Sequence, residues 1–245
     1  MNTRIITNPR LIGLLTILIA TSPTPLFAAE PQDKSVPASK AESPLFMVKR
    51  GALIAEDDFS GPAFTDKWKE FIKTWTLVDG MMKGETEVGK HHSTLAPKKD
   101  FDVDRAIIQF DFKLDGAKSI GVLFNHETGY REHVAAISFS PTEAKLKRSS
   151  GMGKTTKSQE LDRKTVKLDD GNWHTATIEI YDAEMLVSLD GKSILYGVGV
   201  DPAEHTKQGP RFIVQDPVAY LDNVRIWSAQ PDPGWQDRKA NITSK

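Results

Sequence analysis

Arg105-Ala-Ile-Ile-Gln-Phe-Asp-Phe-Lys-Leu114 is apolar at its even positions, Ala106, Ile108, Phe110, Phe112 and Leu114, and its odd positions include Arg105, Gln109, Asp111 and Lys113. A period of two places successive side chains on opposite faces of a β-strand, so one face is buried and the other wet. Working outward in both directions, similar short segments recur: Leu53–Phe59, Trp75–Val78, Met81–Glu85, Ser119–Asn125, His133–Ser140, Lys145–Arg148, Trp173–Tyr181, Met185–Leu189, Ser193–Val198, Arg211–Val214 and Tyr220–Trp227. They return every 8 to 12 residues or so with turn residues between them, and none follows a helical period. Val78-Asp79-Gly80-Met81 and Leu189-Asp190-Gly191-Lys192 each set Asp-Gly between apolar runs, the signature of a two-residue hairpin whose central residues both take positive φ. A dozen short antiparallel strands without helices predict an all-β fold, a two-sheet antiparallel β-sandwich over residues 53–228.

The chain has 245 residues with 32 Lys+Arg against 33 Asp+Glu and no cysteine. Near-zero charge argues against nucleic acid or an anionic membrane surface as the main partner, since both need a clustered basic face. Zero cysteine excludes disulfides, thiol nucleophiles and Cys-ligated metals. Arg4 and Arg10 precede the apolar run Leu11–Ala20, and the small residues Ala28 and Ala29 follow, the order of a secretory signal peptide over residues 1–29. The run is too short to span a membrane, which takes about 20 apolar residues. The mature chain is therefore expected to be secreted or periplasmic, without a membrane span. Pro, Ser, Lys and Ala dominate from Glu30 to Pro44, so residues 30–52 read as a flexible linker and 229–245 as a C-terminal tail.

Two groups of segments together resemble a known family. Glu56-Asp-Asp-Phe-Ser60, Trp68 and Trp75-Thr-Leu-Val-Asp-Gly80 stand near the start; Gly171-Asn-Trp-His-Thr175, Val187-Ser-Leu-Asp-Gly-Lys192 and Tyr220-Leu-Asp-Asn-Val-Arg-Ile-Trp227 stand near the end. The set is similar to the concanavalin A-like lectin/glucanase jelly roll, and within it to secreted 3-keto-disaccharide hydrolase domains, neighbours of laminin-G-like and family-sixteen glucanase sandwiches. The resemblance implies a carbohydrate partner. Its motifs are structural, so they speak to fold more than to chemistry. Retaining glucanases of this superfamily carry E-x-D-x-E or E-x-D-x-x-E on one strand, which points nucleophile and acid/base at the sugar together. Glu56-Asp-Asp58 and Glu160-Leu-Asp162 begin that way and lack the final Glu, so an ordinary retaining glucanase is not expected. Gly151-Met-Gly-Lys-Thr155 ends like a phosphate loop, but the required first glycine would be residue 148, which is Arg148.

The densest polar cluster is Asn125-His-Glu127 with Tyr130-Arg-Glu-His133, between two expected strands. By parity His126 follows Ile120, Val122 and Phe124, and His133 follows Ile137 and Phe139, which places both at the rim of one sheet face. The bland alternative is a polar loop with satisfied histidines. His174 alternates with Ala176, Ile178 and Ile180 and reads as structural. Two functional readings stay open: a non-catalytic carbohydrate-binding sandwich, or a hydrolase or lyase acting on glycosidic bonds of oxidised (3-keto) disaccharides. For the second, a C3 ketone acidifies the C2 proton, so a base can remove it and expel the C1 substituent without paired carboxylates. The resemblance then points to His126, Glu127 and His133 for catalysis, and to His91, His92, Tyr130, Arg131 and the outward-facing Trp227 for substrate. Asp222 shares parity with Val224 and Ile226, which aims a carboxylate at the core. Because the family's first and last strands are neighbours, Glu56, Asp57 and Asp58 would join it, and oxygen ligands clustered in this way suit a structural Ca²⁺. Hydrogen-bonded turn carboxylates are the alternative.

Overall fold

The structure, a computed structural model, describes residues 41–61, 67–71, 74–86, 93–126, 129–150, 155–199 and 206–243, with the backbone alone at 71 and 129–132. The expected signal peptide and residues 30–40 of the expected linker lie outside the described residues. Among those described, the strands are β1 (Val48–Asp57), β2 (Trp68–Phe71), β3 (Trp75–Val78), β4 (Met81–Glu85), β5 (Ser93–Pro97), β6 (Phe101–Asp102), β7 (Arg105–Asp115) and β8 (Ser119–His126). After them come β9 (Gly129–Phe139), β10 (Glu143–Ser150), β11 (Lys157–Thr165), β12 (His174–Tyr181), β13 (Glu184–Leu189), β14 (Lys192–Val198), β15 (Lys207–Gln215) and β16 (Val218–Pro231). A helix, α1 (Trp235–Thr243), closes the described chain.

The strands form two sheets. Sheet A runs β14-β13-β12-β7-β16-β4-β3, with β1 beside β16; sheet B runs β11-β10-β9-β8-β15-β5-β2, with β6 beside β15. The even residues of β7 meet Ile120, Val122, Phe124, Phe212 and Val214 of sheet B in one buried core. The Phe110 and Phe212 rings lie 5.1 Å apart, and Phe112 stacks on Phe139 at 5.0 Å. Both Asp-Gly pairs form hairpin tips, with positive φ at Asp79 (53°), Gly80 (74°), Asp190 (50°) and Gly191 (74°). The all-β sandwich is as the alternation predicts.

Its limits are wider than expected. Strand β1 begins at Val48 and pairs with β16 as far as Pro231. Ahead of it, the amides of Phe46, Met47 and Val48 all donate to the buried Glu179 carboxylate at 2.7–3.1 Å. Residues 43–52 are therefore fixed on the outward face of sheet A rather than forming a linker. At the other end Trp235 of α1 packs with Met47, Val48, Ile107, Leu186 and Trp227, so the expected tail carries a strand end and a helix. A low-complexity strap and a short polar helix hold few apolar residues each, and neither shows a period that could be read without the face it covers. Among the described residues no helix is long and apolar enough to cross a membrane.

Candidate functional site

Two single-residue bulges decide where the polar side chains point. In β9, Ala135 pairs with Phe124 but His133 pairs with Asn125, so Val134 is an extra residue. In β16, Asp222 pairs with Asp111 while Arg225 pairs with Gln109, and the extra residue Asn223 has φ 49°. An inserted residue reverses the alternation beyond it. His133 therefore lies on the outward face of sheet B with Asn125, whereas His126 keeps the inward row of Ile120, Val122 and Phe124. The expectation that the two histidines share one sheet face is corrected accordingly. Asp222 likewise lies outward, beside Asp111, and does not face the core as its parity suggested.

On the outward face of sheet B, the His133 Nδ1 sits 2.8 Å from Asn125 Oδ1. An amide oxygen can only accept, so Nδ1 carries the proton and Nε2 the lone pair, the tautomer of a base. On the same face Arg211 is 5% exposed, and its Nη2 donates to Asp100 Oδ2 at 3.1 Å. Register puts His133 two strands and two residues from Arg211, roughly 12 Å between Cα atoms, a span that fits a sugar ring between the two side chains. The floor between and beside them consists of small residues: Ala96, Thr94, Gly121, Ala136 and Ser138. A Cβ at Gly121 would lie 2.4 Å from the Ile137 carbonyl oxygen, so only glycine lets β9 approach so closely.

His126 ends β8 opposite Gly129 and Lys207. Lys207 is fully buried there and plugs the end of the sandwich, its Nζ donating to Asp104 Oδ1 at 2.7 Å and to the Asp182 carbonyl at 3.0 Å. Burial pushes the Asp104 carboxyl up in spite of Lys207. His91, His92 and Glu127 lie outside the described residues, and of Tyr130 and Arg131 the backbone alone is placed, in β9. Ser93, which follows His92, pairs with Val214, six residues along β15 from the partner of Asn125 and so about 20 Å away. Trp227 does face outward from sheet A but is 4% exposed, covered by the strap and α1 with the Arg50 guanidinium 4.7 Å over its ring. It offers no open stacking surface.

The acidic residues meet around the Asn223 bulge. Glu56 pairs with Arg225 and Asp57 with Val224, and Glu56, Asp57, Asp58, Lys67, Asn223 and Arg225 line a cavity of about 280 Å³. Asp57 is already occupied, its oxygens accepting from the Trp68 indole at 2.9 Å and the Phe59 amide at 3.0 Å. Asp111 accepts from Thr175 Oγ1 at 2.6 Å and Asn223 Nδ2 at 2.9 Å. Asp222 accepts from the Asn223 amide at 2.7 Å. Burial first, and then the charges of Asp111, Asp58 and Asp57, push the Asp222 carboxyl up to about 6. Among the described residues no three His, Asp or Glu side chains are grouped to hold a metal ion.

His174 is structural, as expected: it packs on Phe112 and is held by Asp190 at 2.8 Å and Asp170 at 3.3 Å. The residues that sequence reasoning missed are Arg211 and Asp100. Arg211 opens the apolar run Arg211-Phe-Ile-Val214, where a charge reads as a strand end, and Asp100 lies 111 positions away in sequence.

Two packed antiparallel sheets with this connectivity define a concanavalin A-like jelly roll. Residues 55–226 match the 3-keto-alpha-glucoside-1,2-lyase-like domain, and the chain belongs to that family. Solved structures of similar fold include a Bacillus subtilis protein with a galectin-like fold, at TM-score 0.59 and 14% identity over 76% of this chain and 100% of that one. A carbohydrate-binding module from Bacillus subtilis matches at TM-score 0.53 and 12% identity over 66% and 96%. Beta-agarase B from Zobellia galactanivorans matches at TM-score 0.56 and 10% identity over 78% and 97%. Among curated proteins no sequence matches.

Proposed function

We propose that the protein is an exported, glycan-directed domain that eliminates the C1 substituent from 3-keto glucosides on the outward face of sheet B. Membership of the lyase-like family supports the reaction class. The observation that carries the site is His133, fixed by Asn125 as a base, on the same face as the buried Arg211. The His133 Nε2 takes the C2 proton, and its electron pair delocalises onto the C3 oxygen as an enolate. The Arg211 guanidinium, a permanent cation with several N–H donors, stabilises that oxygen. Collapse of the enolate restores the ketone, forms the C1–C2 double bond and breaks the C1–O bond; the departing alkoxide takes up a proton and leaves as an alcohol. No carboxylate nucleophile is required, in keeping with the missing E-x-D-x-E spacing.

The test is turnover of a 4-nitrophenyl 3-keto-α-glucoside, followed by nitrophenol release and by deuterium uptake at C2. His133→Ala is expected to lower kcat by 10²-fold or more, the usual worth of a general base, with the melting temperature kept. Calorimetric binding of the glucoside without release or exchange would replace this reading by that of a carbohydrate-binding module, the function named for one structural neighbour. The order of Arg4, Arg10 and Leu11–Ala20 supports export; the mass of the native protein should then begin near Ala29 or Glu30, and an intact Met1 would refute it.

A further inference from the structure

From Glu143 to Lys167 the chain carries eight Lys and Arg against three Asp and Glu, a net +5 in a protein whose total is −1. The excess sits on the β10–β11 hairpin, with β11 at the edge of sheet B and exposed over much of its length. All three acids are committed. Glu143 pairs with Lys145, and with Arg163 at 3.3 Å; Glu160 pairs with Arg163 at 2.8 Å. Asp162 accepts from the Tyr196 amide of β14 at 2.8 Å. Among the described residues Lys147, Arg148, Lys157, Lys164 and Lys167 have no carboxylate within ion-pair distance, and Arg148 turns to Gln159 at 2.9 Å.

Lysines on an edge strand also discourage edge-to-edge pairing, but that function does not require a segregated charge of this size. The hairpin is continuous with the face that carries His133 and Arg211. Lys147 pairs across β10 and β9 with Ala136, and Lys145 with Ser138, the small residues of that floor. A chain lying across the floor would run onto Lys145 and Lys147 and then over the exposed lysines at the edge. A second copy of this hairpin is a poor occupant, because like charges would face each other.

We propose that the β10–β11 hairpin is a subsite for a glycan bearing carboxylate groups, so that the natural substrate is an acidic saccharide. This rests on the reading of sheet B's outward face as the glycan site. The uncompensated cations pair with the ligand's carboxylates at the rim, where such contacts weaken as salt rises.

Isothermal titration of the full mature chain with polygalacturonate tests this, with dextran, poly-glutamate and phosphatidylglycerol vesicles as comparisons. The expected result is binding to polygalacturonate that weakens from low salt to about 0.15 M, and little binding to dextran. Combining Lys147→Ser, Lys157→Ser and Lys164→Ser should weaken binding about tenfold with an unchanged melting temperature. Equal affinity in the variant, equal affinity of the wild type for poly-glutamate, tighter binding to vesicles, or no binding to polygalacturonate would each overturn the proposal. Turnover does not enter this readout, so a protein that binds polygalacturonate through the hairpin without eliminating a 3-keto glucoside loses the lyase reading and keeps this one.

Discussion

The outward faces of the two sheets come from the same alternation and end in opposite conditions. On sheet A the strap at residues 43–48 and α1 lie over the polar side, so Gln109 bonds the strap at Ser43 (2.9 Å) and Ala41 (3.2 Å), Glu179 collects three amides, and Trp227 is buried. On sheet B the corresponding side is floored by Thr94, Ala96, Gly121, Ala136 and Ser138, with the cations of β10–β11 at its edge. Polarity at alternate positions thus shows which side faces away from the core. What covers that side is decided by segments elsewhere in the chain. The sheet whose outward polar groups are taken by the protein's own backbone is stabilised by them, and the sheet floored with small side chains has room for a ligand.

The sharpest way to break this contrast is to unfasten the strap. Glu179→Ala leaves the buried amides of Met47 and Val48 without their acceptor and should cost roughly 3–5 kcal/mol in denaturant unfolding. Trp227→Ala should cost a similar amount through lost packing. Both variants should keep wild-type turnover and glycan affinity below their melting transitions. Loss of affinity with unchanged stability in either would make sheet A the ligand face and reverse the assignment.

Why the fold was legible and the site only partly so follows from the period of two. Each strand repeats its inward apolar set several times, and Asp79-Gly80 and Asp190-Gly191 announce their turns in two letters, so local errors average out. A site depends on single residues. One extra residue at Val134 or Asn223 moved His133 and Asp222 to the other face, and neither residue carries a composition signal that marks a bulge. Asp222 was correctly brought near Asp57 and Asp58, because the pairing of first and last strands is a property of the whole fold. Arg211 with Asp100 is a long-range contact between two ordinary-looking positions, and nothing local announces it.

The acidic cluster on sheet A sharpens the contrast at a smaller scale. Asp222 keeps its proton to about pH 6 in the folded state but only to about pH 4 unfolded. The folded state thus binds more protons across that interval, and stability falls as pH rises through it. The deficit is absent below about pH 4 and complete above about pH 6. Asp222→Asn should therefore stabilise by about 1–2 kcal/mol at pH 7 and not at pH 4. A structural Ca²⁺ at Glu56, Asp57, Asp58 and Asp222 remains our proposal for what would offset this charge. If it binds, added calcium should raise the melting temperature of the wild type and not of Asp222→Asn, since an ion bound only to the native state stabilises by mass action. Identical melting curves with calcium and with chelator would leave the cluster as hydrogen-bonded carboxylates.

The smallest effect belongs to His174, where the sheet A rim satisfies its charges instead of crowding them. The hydrogen bond to Asp190 raises the imidazole above its ordinary value, against desolvation that lowers it, and Asp170 adds to the rise. Asp190 moves the other way: its bond to His174 and the Thr175 amide outweigh burial and hold it below the usual carboxylate range. A raised histidine contributes fully below its unfolded value near 6.5 and loses that contribution as pH climbs through the folded value; a depressed carboxyl contributes above about 4 and loses it on acidification. The pair should therefore stabilise most between about pH 4 and 6.5, by about 1 kcal/mol for a partly exposed charged contact. Unfolding free energies should fall from pH 6 to 8 in the wild type, and this fall should be reduced in His174→Gln, which keeps one donor for Asp190 but cannot titrate. The comparison is best made in the Asp222→Asn background, where the larger carboxylate term no longer overlaps the low-pH side of the window. If the fall has the same size with and without the imidazole, the histidine is neutral in the folded protein, and the rim is held by packing against Phe112 alone.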